Sequence, residues 1–155
     1  MIRKYRASDR EILKEITMIC FPKVSIDKNI EERFGKIGGK DWAWRKKRQI
    51  EADIEACHEG IFVAEIDGNV VGYITSRLDV EDKIGWIPNL AVLPAYQGQG
   101  LGKQLMQAAL DNFRKEGMEL VKIETLEQNE VGARFYPKAG FVEVARQIHY
   151  VMPLT

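Results

Sequence analysis

Apolar residues recur along this chain with two periods, and the switches between them mark out its elements. Residues 2–6 alternate weakly and read as a first strand. Ser8-Asp9 offers an N-cap to a helix carrying Ile12, Leu13, Ile16 and Ile19, which should end at Phe21-Pro22 because the residue before proline is driven out of the α region. Residues 26–41 mix charges with Gly35, Gly38 and Gly39 and read as a mobile, irregular connection. Helical spacing returns over 42–58, with Trp42, Ile50, Ile54 and Cys57 on its apolar side and Gly60 as its stop.

The period then falls to two. Residues 61–66 are β-branched and aromatic, Asp67-Gly68-Asn69 is a hairpin turn, and residues 70–76 return as the partner strand. A third strand over 85–92 is interrupted by Pro88, which has no N–H to give a ladder, so pairing must bulge or break there. The next helix turns Leu101, Leu105, Ala108, Ala109 and Phe113 inward and closes at Gly117. Residues 120–126 form a further strand, 129–136 a short helix, and 141–151 one or two terminal strands. This order predicts a single three-layer α/β domain over residues 1–155, built on a mixed sheet.

Composition narrows the picture. The 155 residues are 45% apolar and 30% charged, the usage of one globular domain. Lys plus Arg and Asp plus Glu both total 23, so no net field gathers polyanions and nucleic-acid coating is disfavoured. No run approaches the ~18 apolar residues of a membrane span, and the start lacks the apolar stretch of a secretory signal; a cytoplasmic protein without a membrane partner is expected. Cys20 and Cys57 lack metal-type spacing and read as buried free thiols. His58 and His149 show no partner pattern for zinc, so no metal is expected, and the run Arg45-Lys46-Lys47-Arg48 reads as a solvated helix face.

The chemistry concentrates in Gln97-Gly98-Gln99-Gly100-Leu101-Gly102-Lys103, between a strand and an amphipathic helix. Alternate glycines let backbone amides converge without Cβ obstruction, and the helix start adds unpaired N–H groups and partial positive charge. Phosphate or pyrophosphate suits such a loop, although surface turns also collect glycine. The nucleotide P-loop pattern fails, because Lys103 is followed by Gln104 rather than Ser or Thr. A dinucleotide site fares better, with Glu124 about twenty residues on, yet the spacing is G-x-G-x-G and only about thirty residues remain after it.

Leu90-Ala91-Val92, Pro94, Tyr96 and Gln97-Gly98-Gln99-Gly100-Leu101-Gly102 resemble the acetyl-coenzyme A signature of GNAT-type (GCN5-related) N-acetyltransferases. Asn129, Ala133, Tyr136 and Gly140-Phe141 resemble that family's second block, and Pro88-Asn89-Leu90-Ala91-Val92 is similar to its ribosomal-protein N-terminal alanine acetyltransferase branch. The resemblance implies a GNAT fold: a mixed, mostly antiparallel sheet of six to seven strands with a splayed central pair and about four helices. It implies acetyl-CoA as donor, with the pyrophosphate on Gly98, Gln99, Gly100, Leu101 and Gly102, flanked by Gln97 and Lys103. Pantetheine would pair with Leu90, Ala91 and Val92 as an added strand does. The N–H of Leu90 or Ala91 would polarise the thioester, and Asn129 would complete the coenzyme site.

By the same resemblance Tyr136 is the acid that protonates the leaving thiolate, with Pro137 after it disfavouring α geometry, and Glu124, twelve residues before Tyr136, is the base. An α-amine with pKa ~8 needs far less help to become neutral than a lysine at ~10.4. The expected acceptor is therefore an amine-bearing small molecule or a peptide N-terminus, held by residues 21–39 and a terminal hairpin with His149 and Tyr150. The sequence does not disclose the oligomeric state, and a homodimer is left open. A non-catalytic acyl-CoA-binding or sensing domain is the alternative, and a nucleotide-dependent oxidoreductase the third reading.

Overall fold

The hairpin turn seeds the sheet. In the computed structural model, which describes residues 1–154, Asp67 and Gly68 both take positive φ (50° and 79°), the mirror-image turn whose twist matches paired strands. It joins β2 (Phe62–Ile66) to β3 (Asn69–Ile74). β1 (Ile2–Lys4) pairs antiparallel with β2, and β6 (Leu90–Val92) with β3, giving a four-stranded sheet in the order β1-β2-β3-β6. A second sheet holds β4 (Arg77–Asp79), β5 (Ile84–Trp86) and β7 (Leu120–Lys122), with β5 and β7 parallel. Successive side chains of β2 and β3 point to opposite faces. Ala64 and Ile74 therefore pack with Leu101, Leu105, Ala109 and Phe113 of α4 (Leu101–Lys115). Val63 and Tyr73 pack on the other face with Leu13 and Ile16 of α1 (Arg10–Cys20) and Ile50 and Ile54 of α3 (Trp42–Cys57).

Between β5 and β6 the chain leaves one sheet and enters the other through Ile87, Pro88 and Asn89. Asn89 is buried, 3% exposed, and every polar group of its side chain is engaged. Its amide nitrogen donates to Asp53 Oδ2 (2.8 Å) and Thr75 Oγ1 (3.1 Å), and its Oδ1 accepts from Lys46 Nζ (3.0 Å). Asp53 also accepts two hydrogen bonds from Arg77 of β4, at 3.1 and 2.8 Å. A fully paired buried polar node of this kind fixes one arrangement of its elements, because any slip strands a charge out of water.

Several sequence expectations are corrected. The expected mixed, mostly antiparallel arrangement with a splayed pair is present, its seven strands divided between two sheets that part at Pro88; the corrections concern single elements. Residues 26–34, expected to be irregular, form α2 (Ile26–Phe34), because Ile26, Ile30 and Phe34 repeat at four-residue spacing before Gly35 (φ 77°) ends it; the described residues hold five α-helices, in keeping with the about four expected. Ile19 of α1 faces outward at 56% exposure while Thr17 is buried, its hydroxyl bonded to Leu13 O and to Tyr73. The basic run is not simply a solvated face: Lys46 reaches Asn89, and Arg45 lies 3.7 Å from Asp27.

The expected strand over 120–126 stops at Lys122, where Ile87 N–H takes the last carbonyl (3.1 Å), so Glu124 lies beyond the ladder. Pro137 does not pull Tyr136 out of α geometry: α5 (Glu130–Lys138) runs through it, since in the final turn proline removes one bond only. Residues 141–154 form no strand and no hairpin. The run from Phe141 to Met152 holds no Gly, Pro, Asn or Asp that could turn it back on itself.

Replacing Asn89 with Ala should lower unfolding free energy by about 2–3 kcal/mol, because Asp53 and Lys46 lose a buried partner. Urea denaturation measures this, and a change below ~0.5 kcal/mol would deny the node its structural role.

Candidate active site

The parting of the sheets leaves β6 with one partner. Thr75 N–H donates to Asn89 O (3.0 Å) and Leu93 N–H to Val71 O (2.8 Å). Antiparallel ladders alternate, so Ala91 exchanges its hydrogen bonds with Tyr73, its registered partner, and the peptide groups of Leu90 and Val92 point away from β3. Val92 O is met there by Gln97 Nε2 (2.9 Å) and Cys20 Sγ (3.5 Å). Of the two residues expected to offer an oxyanion donor, the register leaves Leu90 on the open edge.

Downstream, a turn over Pro94–Tyr96 leads into Gly98 (φ 78°) and Gly100 (φ 82°), two left-handed positions that a side chain would strain. Gly100 caps α4, and the first N–H to bond back is that of Gln104, to Gly100 O at 3.0 Å. The amides of Leu101, Gly102 and Lys103 are left directed out of the helix start, beside the positive end of its dipole and with no acidic residue in the first turn. A Cβ on Gly102 would lie 3.4 Å from the Phe135 ring, an ordinary contact distance, so Phe135 of α5 packs beside the first turn of α4.

α5 carries the tyrosine. Asn129 caps it, accepting from Gly132 N–H (3.0 Å), while its amide donates to Thr125 Oγ1 (2.9 Å). At the other end Gly140 (φ 105°) lets Phe141 N–H reach Tyr136 O (3.0 Å) and Gly140 N–H reach Pro137 O (3.1 Å). This closure brings Phe141 edge-on to Tyr136 at 6.0 Å between ring centres. Tyr136 is thus clamped between Phe135 and Phe141. Burial pushes its hydroxyl up to about 12, so near neutral pH it holds its proton and can donate it.

Glu124 is exposed and held from β5 by the Trp86 indole N–H, at 2.7 Å to Oε2, with Lys122 Nζ 3.7 Å away. The cysteines are only half-buried. Desolvation pushes Cys20 up to about 11 and raises Cys57, so both thiols stay protonated near neutral pH. No cluster of metal-ligating side chains occurs among the described residues.

A cleft of about 660 Å³ opens between α2, the loop after β7 and the C-terminal segment. Ile30 and Arg33 line one wall, Leu126 and Glu127 the floor, Gln147 and His149 the other side. The expected acceptor segments do meet here, except that Tyr150 is 88% exposed and outside the lining. Sequence reading missed Asn29 and Gln128, whose amides exchange hydrogen bonds at 2.8 and 3.0 Å and tie α2 to the loop. The α2 periodicity was the available signal, masked by the glycines after it.

Residues 13–141 match the family model described as Acetyltransferase (GNAT) family. Mycothiol acetyltransferase of Thermomonospora curvata is 30% identical over 112 residues, 72% of this chain and 37% of that protein. The N-alpha-acetyltransferase of Sulfurisphaera tokodaii is 35% identical over 100 residues, 57% of this chain and 60% of that protein. The chain thus aligns with less than two thirds of either relative. Among solved structures, the PaiA N-acetyltransferase of Thermoplasma acidophilum in complex with coenzyme A superposes with a TM-score of 0.73, covering 92% of this chain and 89% of that one at 23% identity. Among the described residues no helix is long and apolar enough to cross a membrane.

Gly132→Ala tests the packing around Tyr136. A Cβ there would fall 2.7 Å from Asn129 Nδ2 and 3.0 Å from Tyr136 Cε2. Although Gly to Ala inside a helix ordinarily gains ~1 kcal/mol, here loss of the cap, worth up to ~2 kcal/mol, should leave a net loss of up to ~1 kcal/mol. A higher melting temperature would contradict it.

Proposed function

The chain belongs to the acetyltransferase (GNAT) family, and on that premise we propose that it moves an acetyl group from acetyl-CoA directly to a primary amine in a ternary complex. The observation that carries this reading is the nearness in the chain of two backbone surfaces with groups left free by the fold: the edge of β6 at the Leu90 peptide groups and the Val92 N–H, and the amides opening α4. Coenzyme A has one group for each, a pantetheine arm with two amides and a pyrophosphate. In this reading Gly98, Gln99, Gly100, Leu101 and Gly102 receive the pyrophosphate, with Lys103 adding charge. The arm lies along Leu90 and Val92, while Ala91 buttresses the strand from the core side.

The amine nitrogen attacks the thioester carbonyl, whose oxygen gains charge opposite the Leu90 N–H. The carbon–sulfur bond then breaks, and the thiolate takes the Tyr136 proton. Glu124 receives the proton the amine sheds, directly or through water. Asn129 serves by capping α5, since both ends of its amide are engaged within the fold. Protonated Cys20 and Cys57 suit transfer without an acyl-cysteine. The cleft beside α2 is the acceptor site. An exposed carboxylate is a modest base, which favours an amine that is partly neutral already, a peptide N-terminus or a small amine, over lysine. The name of one relative, N-alpha-acetyltransferase, supports an amine acceptor.

Release of coenzyme thiol, followed across free-amine and lysine-only peptides and small amines, tests the assignment. Free-amine acceptors should be preferred. Tyr136→Phe should lower kcat by about 10²-fold with acetyl-CoA affinity retained, and Glu124→Gln by about 10-fold or more. Because Tyr136 holds its proton to about 12, the wild-type profile should show no falling limb from this group between pH 8 and 10. Coenzyme binding without turnover across the panel would instead mark a sensing domain, and absence of heat on titrating coenzyme A would remove the reading altogether.

A further inference from the structure

The zero net charge conceals a strong segregation. Seven of the 23 cations but only one of the 23 carboxylates fall in residues 33–48, which span the end of α2, the turn after it and the first half of α3. The rest of the chain carries the matching acidic excess. An asymmetry of this size within one short stretch marks a surface for an anionic partner.

The fold displays these cations rather than pairing them. Ile37 and Lys40 exchange backbone hydrogen bonds at 3.3 and 3.1 Å around Gly38 and Gly39, and Arg45 donates to Lys40 O at 3.2 Å, so a tight hairpin is fastened to the start of α3. Lys40 Nζ lies 5.1 Å and Arg48 Cζ 4.8 Å from the centre of the Trp44 ring, which joins hairpin and helix in one strip. Arg33, Lys36, Lys40, Lys47 and Arg48 are exposed and form no ion pair among the described residues. The carboxylates around them are already engaged: Asp27 by Gln49, Glu31 by the Trp42 N–H, Asp41 by the Trp44 N–H, and Glu51 by Arg10 and Lys14. Of the acids in residues 27–51, Glu32 alone is left over among the described residues.

We propose that this strip docks an acidic peptide segment; resting on the acetyl-transfer reading, the segment is the stretch of the acceptor behind its reacting amine. Continuity with the cleft supports it, because Arg33 and Phe34 line the proposed acceptor cleft and the strip runs on from them through Lys36. A peptide whose amine enters the cleft would trail over the strip. At ~3.3 Å per residue its acids would fall roughly four to nine residues behind the amine. Cations without partners inside the fold can meet carboxylates without first breaking an ion pair. On long exposed stems they read charge rather than exact sequence, and several together give a preference that a single surface pair does not. A nucleic-acid strand fits less well, since cations already stand over the Trp44 ring on which a base would stack.

Fluorescence anisotropy tests the strip without acetyl-CoA, using peptides of equal length labelled at the carboxyl end, identical next to the free amine and carrying glutamate, serine or lysine behind it. At ~0.1 M salt the wild type should bind the glutamate peptide about 10-fold more tightly than the serine one, and the advantage should vanish at ~1 M, where the screening length drops from ~10 Å to ~3 Å. The double variant Lys40→Glu, Arg48→Glu should lose the preference with its circular dichroism spectrum retained, because both side chains are exposed. The independent pair Lys36→Glu, Lys47→Glu should lose it too. In thiol-release assays the preference should appear in KM rather than kcat, since the strip does not meet the reacting atoms. Equal binding of the three peptides, a preference that survives high salt or both charge reversals, or equally tight binding of a single-stranded oligonucleotide or of phosphatidylserine vesicles would each overturn the proposal. A preference in binding with no thiol released would instead overturn the acetyl-transfer reading and leave the strip in place.

Discussion

One buried amide governs the geometry of the candidate site. Asn89 binds α3 through Lys46 and Asp53, and β3's continuation through Thr75, so the residue before β6 is pinned from several elements at once. Pro88 beside it has no N–H to give, and the pairing of β5 with β7 ends there, at Ile87 N–H to Lys122 O, so β6 runs on without that neighbour. The divergence of the sheets falls at this pair: the pairing ends at the proline, and asparagine holds the strand where that neighbour is missing. The open edge depends on that vacancy being stable, and its stability comes from charge and hydrogen bonding beneath the strand.

The second half of the site is rigid for another reason. Phe135 of α5 packs beside Gly102 in the first turn of α4, and α5 is locked at both ends, by the Asn129 cap and the Gly140 closure. Tyr136 inherits its position from those closures, since the carbonyl of the same residue accepts the Phe141 N–H. Pro137 in the last turn takes nothing essential away.

The hairpin, the glycine loop and α4 were legible because their signals are local: a two-residue turn, alternate glycines, a 3.6 period. The site's two backbone surfaces followed from the same residues. α2 was hidden because Gly35, Gly38 and Gly39 drew attention from the three apolar residues before them. Lys46 sits in a basic run whose other members Lys47 and Arg48 do face solvent, and only the tertiary fold reveals its turn toward Asn89. The early end of β7 and the unpaired tail escape a reading of propensity, because a strand needs an edge to pair with as well as suitable residues.

The thiol of Cys20 lies against the carbonyl of Val92, on the open edge of β6, with its proton held to about 11. A protonated thiol is a poor nucleophile, so a thioester laid along this edge, as the proposed reading has it, would meet no thiolate from Cys20.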